Sequence, residues 1–119
     1  MREIYDDMYH YDFSVRCHET FEQEVKLEDE DGNKIDLEGK TASAQVRPSP
    51  GNPILTAEMA CEIDRQMGSI TFRLTSAQTA EMTPGKYAYD LCLVEELENE
   101  ELRKYLMGGR FTVLPSVTE

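Results

Sequence analysis

The sequence predicts an all-β domain, an antiparallel β-sandwich of about seven or eight short strands with one short helix around residues 76–82. Apolar residues such as Phe21, Val25 and Leu27 alternate with charged ones, and this period of two is typical of half-buried strands. Turn-forming Gly, Pro, Asn and Asp separate such runs at intervals of roughly 8 to 15 residues. A long 3.6-residue period, which would indicate a helical protein, is missing.

The first half of the chain is predicted to hold four strands. Asp31, Gly32 and Asn33 tolerate a positive φ, so the chain is expected to reverse there into a short strand. The loop at residues 48–53 carries prolines, which cannot donate to a sheet ladder, and it is expected to end a strand. The predicted strands cover residues 13–15, 21–28, 35–37 and 42–46.

The second half is predicted to continue the strands around one helix. Residues 54–63 are interpreted as a strand, with helical character left open because alanine and glutamate are weak strand formers. Residues 70–74 alternate clearly, and Ser76 is the expected N-cap of the short helix, which Pro84 ends. Near the C-terminus, Gly108 and Gly109 are expected to mark a bulge or a bend in the final strand.

Tyr87 is the candidate for a structural tyrosine corner. It follows a Pro-Gly turn and leads the alternation of Tyr87, Tyr89, Leu91 and Leu93. A tyrosine at the head of a core strand can bury its ring and reach back with its hydroxyl to the backbone of the preceding connection. This is the tyrosine corner of immunoglobulin-like sandwiches.

Composition excludes several classes of partner. The 119 residues fit one domain, and 12 Lys and Arg against 24 Asp and Glu give a formal net charge of -12. Such a surface repels phosphate backbones and anionic lipids, so neither nucleic acid nor membrane is an expected partner. The charged N-terminus does not resemble a signal peptide, which predicts synthesis in a cytoplasm. The odd count of three cysteines argues against a disulfide framework.

Motifs for chemistry are not recognised, so the sequence predicts no enzyme, no cofactor and no metal site. Asp29, Asp31 and Asn33 have the spacing of the first calcium ligands of an EF-hand, but Lys34 and Lys40 stand where the glycine and the bidentate glutamate belong. The sequence lacks a nucleophile elbow and a glycine-rich phosphate loop. With 24 acidic residues, pairs of carboxylates arise by chance.

The sequence also resembles a known family through three segments. These are, within a match over about residues 11–118, the first segment "YDFSVRCHETFEQEVKLEDEDGNKIDLEGKTASAQVR" at 11–47, the second "GSITFRLTSAQTAEMTPGKYAYDLCLV" at 68–94 and the last "GGRFTVLPSVT" at 108–118. They are similar to small bacteriophage and prophage structural proteins with an immunoglobulin-like β-sandwich, and to the N-terminal domain of baseplate upper proteins. His18 departs from the family's glycine after the first strand, so a different backbone geometry is expected there.

The resemblance implies a virion component: an accessory or structural protein that docks onto other virion proteins of a tail, baseplate, neck or capsid surface. It implies a sandwich domain over residues 11–119 behind a flexible or docking arm at residues 1–10, localisation in the virion, and synthesis in the bacterial host cytoplasm. Other phage structural proteins are the expected partners, and a homo-oligomer is left open. The candidate partner-binding residues are Tyr5, Tyr9 and Tyr11 in and beside the arm, and Arg47 and Asn52 at the loop. The alternative is a carbohydrate or host-surface binding module on the same fold.

Overall fold

The computed structural model describes residues 9–29 and 31–118, and over this part of the chain the structure is nearly all β. One short helix interrupts the strands. The elements are β1 (Tyr9–His10), β2 (Phe13–Arg16), β3 (Phe21–Lys26), β4 (Lys40–Arg47), β5 (Ala57–Asp64), β6 (Ser69–Leu74), α1 (Ser76–Ala80), β7 (Gly85–Leu97) and β8 (Glu100–Leu114).

The strands form a curled, mixed sheet in the order β1-β8-β7-β4-β5-β6-β3, with β2 also paired to β8. Both β1 and β2 run parallel to β8, whereas the other pairs of strands are antiparallel. The prediction of a purely antiparallel arrangement is therefore wrong. The N-terminal segment joins the sheet beside the C-terminal strand, and because no hairpin connects these two segments, they are free to pair in parallel.

The sheet curls at β5, which pairs with a different neighbour along each half. Ala57 to Met59 pair with β4, and Ala60 to Asp64 pair with β6. The curl brings β3 and β6 over β7 and β8. The rings of Phe21 and Phe111 meet at 5.0 Å between centroids.

The core lies inside this curl and follows the predicted alternation. Every second residue of β7 points inward, beginning with Tyr87 and Tyr89, and Leu91 is fully buried. The rings of Phe13, Phe21, Phe72, Tyr89 and Phe111 form one continuous aromatic cluster. Four of these rings are at least nine-tenths buried, and Phe13 at the edge of the cluster is partly buried.

The longest feature is the β7–β8 hairpin, and it carries the bulge of the sheet. The register shifts between Leu91 and Cys92, which pair with Met107 and Tyr105. The intervening residue, Leu106, is therefore the extra one. The sequence placed a bulge or bend at Gly108-Gly109, and the structure puts it just before them.

Three local predictions need correction. Residues 35–37 do not form a strand, although Leu37 is buried, because only the isolated bridge from Glu28 to Lys34 continues the hairpin. The N-cap of α1 is Thr75, not Ser76, since the Thr75 hydroxyl accepts from the backbone N–H of Gln78 in a capping box.

The third correction concerns His18. It adopts φ 72°, a left-handed conformation that glycine reaches without strain, so the histidine does not impose the different geometry that was expected. Elsewhere in the described structure, residues 54–63 are extended rather than helical over β5. Among the described residues, no helix is long and apolar enough to cross a membrane.

Candidate functional site

A cleft of about 860 Å³ lies on the outer face of β4, β7 and β8, opposite the core. The connection between β4 and β5, residues 48–53, forms one wall. The segment of β1 and its continuation, with His10 and Asp12, forms the other. The volume is within the range of small-molecule and peptide side-chain pockets.

A cross-strand row of residues forms the floor of the cleft. Arg47 pairs with Ala88 on β7, and Ala88 pairs with Arg110 on β8. All of them point away from the core, because their neighbours Val46, Tyr89 and Phe111 point into it. The small side chain of Ala88 leaves a gap between two guanidinium groups.

Lys86 adds a third cation diagonally across from Arg110, since it pairs with Thr112 two residues further along β8. Diagonal neighbours of this kind lie within reach of long side chains. Neither Lys86 nor Arg110 makes a side-chain hydrogen bond or ion pair with another residue in the part of the chain that the structure describes. Both side chains are exposed.

Arg47, in contrast, is hydrogen-bonded to the loop that forms one wall of the cleft. Its Nη1 donates to the carbonyl oxygens of Asn52 at 3.2 Å and Pro53 at 2.9 Å, and its Nη2 donates to Gln45 Oε1 at 2.8 Å. Asn52 Oδ1 accepts from the backbone N–H of Ile54 at 2.8 Å. The two residues that the sequence singled out at this loop therefore fix its shape.

The second wall is held by Tyr11 and Asp12, where the strand pairing of β1 and β2 is interrupted. Tyr11 N–H donates to the carbonyl of Gly108 at 3.0 Å, and Asp12 Oδ1 accepts from the backbone N–H of Arg110 at 2.8 Å. A Cβ on Gly109 would lie 2.7 Å from Asp12 Oδ1 and would also collide with the Tyr11 carbonyl. Only glycine allows this close crossing.

Tyr89 ties the same crossing to the core. Its ring is buried and its hydroxyl donates to the Tyr11 carbonyl at 2.5 Å. Burial raises the pKa of the Tyr89 phenol far above its ordinary value, and the nearby Asp12 adds to the effect. The hydroxyl therefore stays protonated and remains a donor.

Asp90 is the half-buried carboxylate of the cleft. Burial raises the pKa of Asp90 above its ordinary value, and the positive charge of Arg47 partly offsets this rise. Asp90 pairs across the sheet with Gln45 on one side and Gly108 on the other. The lining therefore combines the cations Arg47, Lys86 and Arg110 with the carboxylates Asp12 and Asp90, besides His10.

The cysteines lie outside this cleft. Burial raises the pKa of Cys61 to about 11, and it also raises the pKa of the Cys92 thiol. Both stay protonated near neutral pH and are poor nucleophiles. In the described structure Cys17, Cys61 and Cys92 are free thiols. Residues 9–29 and 31–118 contain no cluster of three or more His, Cys, Asp or Glu that could hold a metal ion.

Of the other sequence-predicted residues, Tyr87 also lines the cleft, whereas Tyr9 and Tyr11 do not. Tyr87 is half-buried and its hydroxyl donates to the carbonyl of Thr83 at 2.5 Å, in the connection before β7. Tyr9 and Tyr11 are 63% and 49% exposed, and their rings stack at 6.2 Å on the side of the segment that leads to Phe13. Tyr5 lies outside the described residues. Tyr9, which the sequence analysis assigned to the arm, pairs with β8.

Sequence reasoning missed Lys86, Arg110 and Asp12 as members of the site. The alternation of β7 does place Lys86 and Ala88 on the outer face, so this part of the floor had a readable signal. The contribution of Asp12 had no signal in the sequence, because it depends on a parallel pairing between residues about 98 positions apart.

Comparisons with known proteins identify a solved structure with a similar fold. No protein-family profile matches the sequence, and no curated protein matches it. Among solved structures, the chain is similar to the N-terminal domain of phage TP901-1 ORF48. The TM-score is 0.51 with 10% sequence identity, and the match covers 85% of this chain and 82% of that one. The chain therefore has the fold of a phage protein domain.

Proposed function

We propose that this chain is a non-enzymatic structural or accessory protein of a phage or prophage virion, and that it acts by docking onto other virion proteins. The observation that carries the proposal is the fold shared with the N-terminal domain of phage TP901-1 ORF48 over 85% of the chain. The sequence resemblance to phage structural proteins and to baseplate upper proteins points the same way. Under this proposal the protein resides in the virion.

The curl of the sheet supports the finer description of the fold as an immunoglobulin-like sandwich. The β3–β6 part packs on the β7–β8 part through Phe21, Phe72, Tyr89 and Phe111. The two hydroxyl-to-backbone ties of Tyr87 and Tyr89 resemble the device that anchors such sandwiches. Sandwiches of this kind serve widely as rigid carriers of binding loops.

The charge distribution favours the cleft over the sheet edge as the docking surface. Along β3, which pairs only with β6 among the described strands, Glu22, Glu24 and Lys26 alternate on one side. Charges on an edge strand hinder the addition of a further strand. The cleft instead offers the exposed cations Lys86 and Arg110 beside a proline-rich wall.

The chemistry of the cleft supports binding rather than reaction. Its two tyrosine hydroxyls are engaged with the backbone at Tyr11 and Thr83. Cys61 and Cys92 lie outside the cleft, and the pKa of each thiol is raised, which makes both poor nucleophiles. A sugar-binding module would need exposed rings in the cleft, and Tyr87 and Tyr89 are committed to the body of the domain.

The test is the presence of the chain in particles. Virions from the source strain are purified through a density gradient, and mass spectrometry and immunogold electron microscopy with an antibody to this chain follow. The proposal expects a fixed number of copies per particle and gold at one location. If the chain stays with the unassembled fractions and gold is at background, the proposal is wrong. A glycan array with the purified chain checks the sugar-binding alternative.

A further inference from the structure

The β7–β8 hairpin carries opposite charges at its two ends. At its turn lie the residues 95–102, here called the acidic tip, which include Glu96, Glu98 and Glu100. These three side chains are exposed. In the described structure they make no ion pair, whereas Glu101 pairs with Arg103 at 2.6 Å. The other end of the same hairpin carries Lys86 and Arg110.

The tip also presents apolar side chains. Leu97 pairs with Glu100 and Glu95 pairs with Leu102, so the two leucines lie diagonally on one face of the hairpin. Each is 44% exposed. Beside the cleft, Ile54 and Leu55 continue the proline-rich wall and are 65% and 45% exposed. Tip and cleft are therefore complementary in charge and both have apolar rims.

One copy cannot bring its own tip to its own cleft. Leu97 lies nine residues beyond Ala88 along β7, which is roughly 30 Å in an extended strand. The whole molecule is 45 Å in its longest dimension, so the two surfaces lie toward opposite ends of a rigid hairpin. The tip can only occupy the cleft of another molecule.

We propose that the acidic tip of one copy of this chain docks into the cleft of the next, with Glu98 and Glu100 against Lys86 and Arg110. This contact is heterologous, because it joins two different surfaces, and repetition gives a closed ring or a filament. The inference deepens the proposed virion role by naming a second copy as a partner.

The net charge of -12 opposes any self-association, and the contact must overcome it locally. At about 0.15 M salt the Debye length is about 8 Å, so repulsion between distant carboxylates is screened while contacts at van der Waals distance are not. Added salt up to about 1 M shortens this length to about 3 Å and weakens the contact as well. Association is therefore expected to be strongest at moderate salt.

The test is sedimentation velocity of the full chain from about 1 to 300 μM, with charge reversals at each surface. The cleft reversal is Lys86→Glu with Arg110→Glu, and the tip reversal is Glu98→Lys with Glu100→Lys. Each reversal alone is expected to weaken association about tenfold or more, since exposed ion pairs contribute modestly one by one. Circular dichroism and thermal melts establish that the variants fold.

The decisive measurement is the mixture of the two variants. A chain with both surfaces negative and a chain with both surfaces positive each self-associate more weakly than wild type, whereas an equimolar mixture restores the oligomers. Lys26→Glu, an exposed change on β3 away from both surfaces, is the matched control and leaves association unchanged. A wild type that is monomeric throughout, or oligomers that ignore both reversals, would overturn the inference.

The outcome separates this inference from the proposed function. A monomeric chain that is nevertheless found in purified virions removes self-docking and keeps the virion role. A chain that self-associates through tip and cleft but is absent from virions keeps self-docking and removes the virion role.

Discussion

The replacement Gly109→Ala probes the crossing of Tyr11 and Asp12 over β8, on which one wall of the cleft depends. The new methyl group would lie 2.7 Å from Asp12 Oδ1 and 2.9 Å from the Tyr11 carbonyl carbon. Real Cβ atoms do not approach backbone this closely, so the segment around Tyr11 must move away. Gly109 does not have a positive φ, so the destabilisation comes from the clash and not from backbone strain in the alanine.

The cost follows from the hydrogen bonds that the movement stretches. They are the bonds from Tyr11 N–H to Gly108, from Tyr89 hydroxyl to Tyr11, and from Arg110 N–H to Asp12. At about 1 kcal/mol each, loss of two or all three of these bonds destabilises the fold by about 2 to 3 kcal/mol. For a domain of this size that lowers Tm by roughly 8 to 12 °C.

The assay is urea denaturation with thermal melts, combined with amide hydrogen exchange. Exchange should accelerate at residues 11–16 and at Arg110 and stay slow in β6. Gly51→Ala is the control for added bulk, because its Cβ would meet nothing within 4 Å. Its only cost is the strain of an alanine at φ 78°. Tyr89→Phe tests the same crossing without adding bulk and is expected to cost about 1 to 2 kcal/mol. A Gly109→Ala protein within about 0.5 kcal/mol of wild type would refute the reasoning.

Three further changes test other parts of the structure. His18→Gly should raise stability by about 1 kcal/mol in thermal melts, because His18 is strained at φ 72°; an unchanged or lower Tm counts against it. Thr79→Val should cost about 1 to 2 kcal/mol in urea denaturation, because the buried Thr79 hydroxyl donates to the Glu19 carbonyl at 2.9 Å; a neutral result contradicts this. Asp90→Asn should stabilise the fold at pH 7, since the raised pKa of Asp90 means that its ionised form is disfavoured by folding. The cost of burying the Asp90 carboxylate is fully present above its folded pKa and disappears below its unfolded pKa of 3.8. The Tm values of Asp90→Asn and wild type should therefore converge at low pH. A difference in Tm that stays constant with pH speaks against the raised pKa of Asp90.

The sequence predicts much of the fold because period-two alternation is a local property. The alternation in β3, β4, β6 and β7 is read correctly from Phe21, Ala44, Ile70 and Leu91, all of which are buried. The short helix is found where the sequence predicts it, although it ends at Ala80 and its N-cap is Thr75 rather than Ser76. Residues 35–37 fail because alternation shows which side chains are buried but not whether a partner strand stands beside them.

The candidate site is less accessible to sequence reasoning because it is made by pairing across the chain. Arg47 and Asn52 were recognised at the loop, yet they hold its shape through backbone carbonyls. The exposed cations of the cleft, Lys86 and Arg110, come from two strands whose register is set by the bulge at Leu106. A shift of one residue in that register would turn Arg110 toward the core.

The N-terminal segment contributes to both the stability and the chemistry of the cleft. The backbone at Tyr11 bonds to Gly108 and Tyr89, while the side chains of His10 and Asp12 face the cleft. Any ligand that contacts those side chains also favours the paired state of the segment, because binding to one conformation stabilises it by mass action. Conversely, a segment that leaves β8 removes Asp12 and opens one wall. Docking at the cleft and the ordering of the chain's N-terminal strand are for this reason one coupled equilibrium.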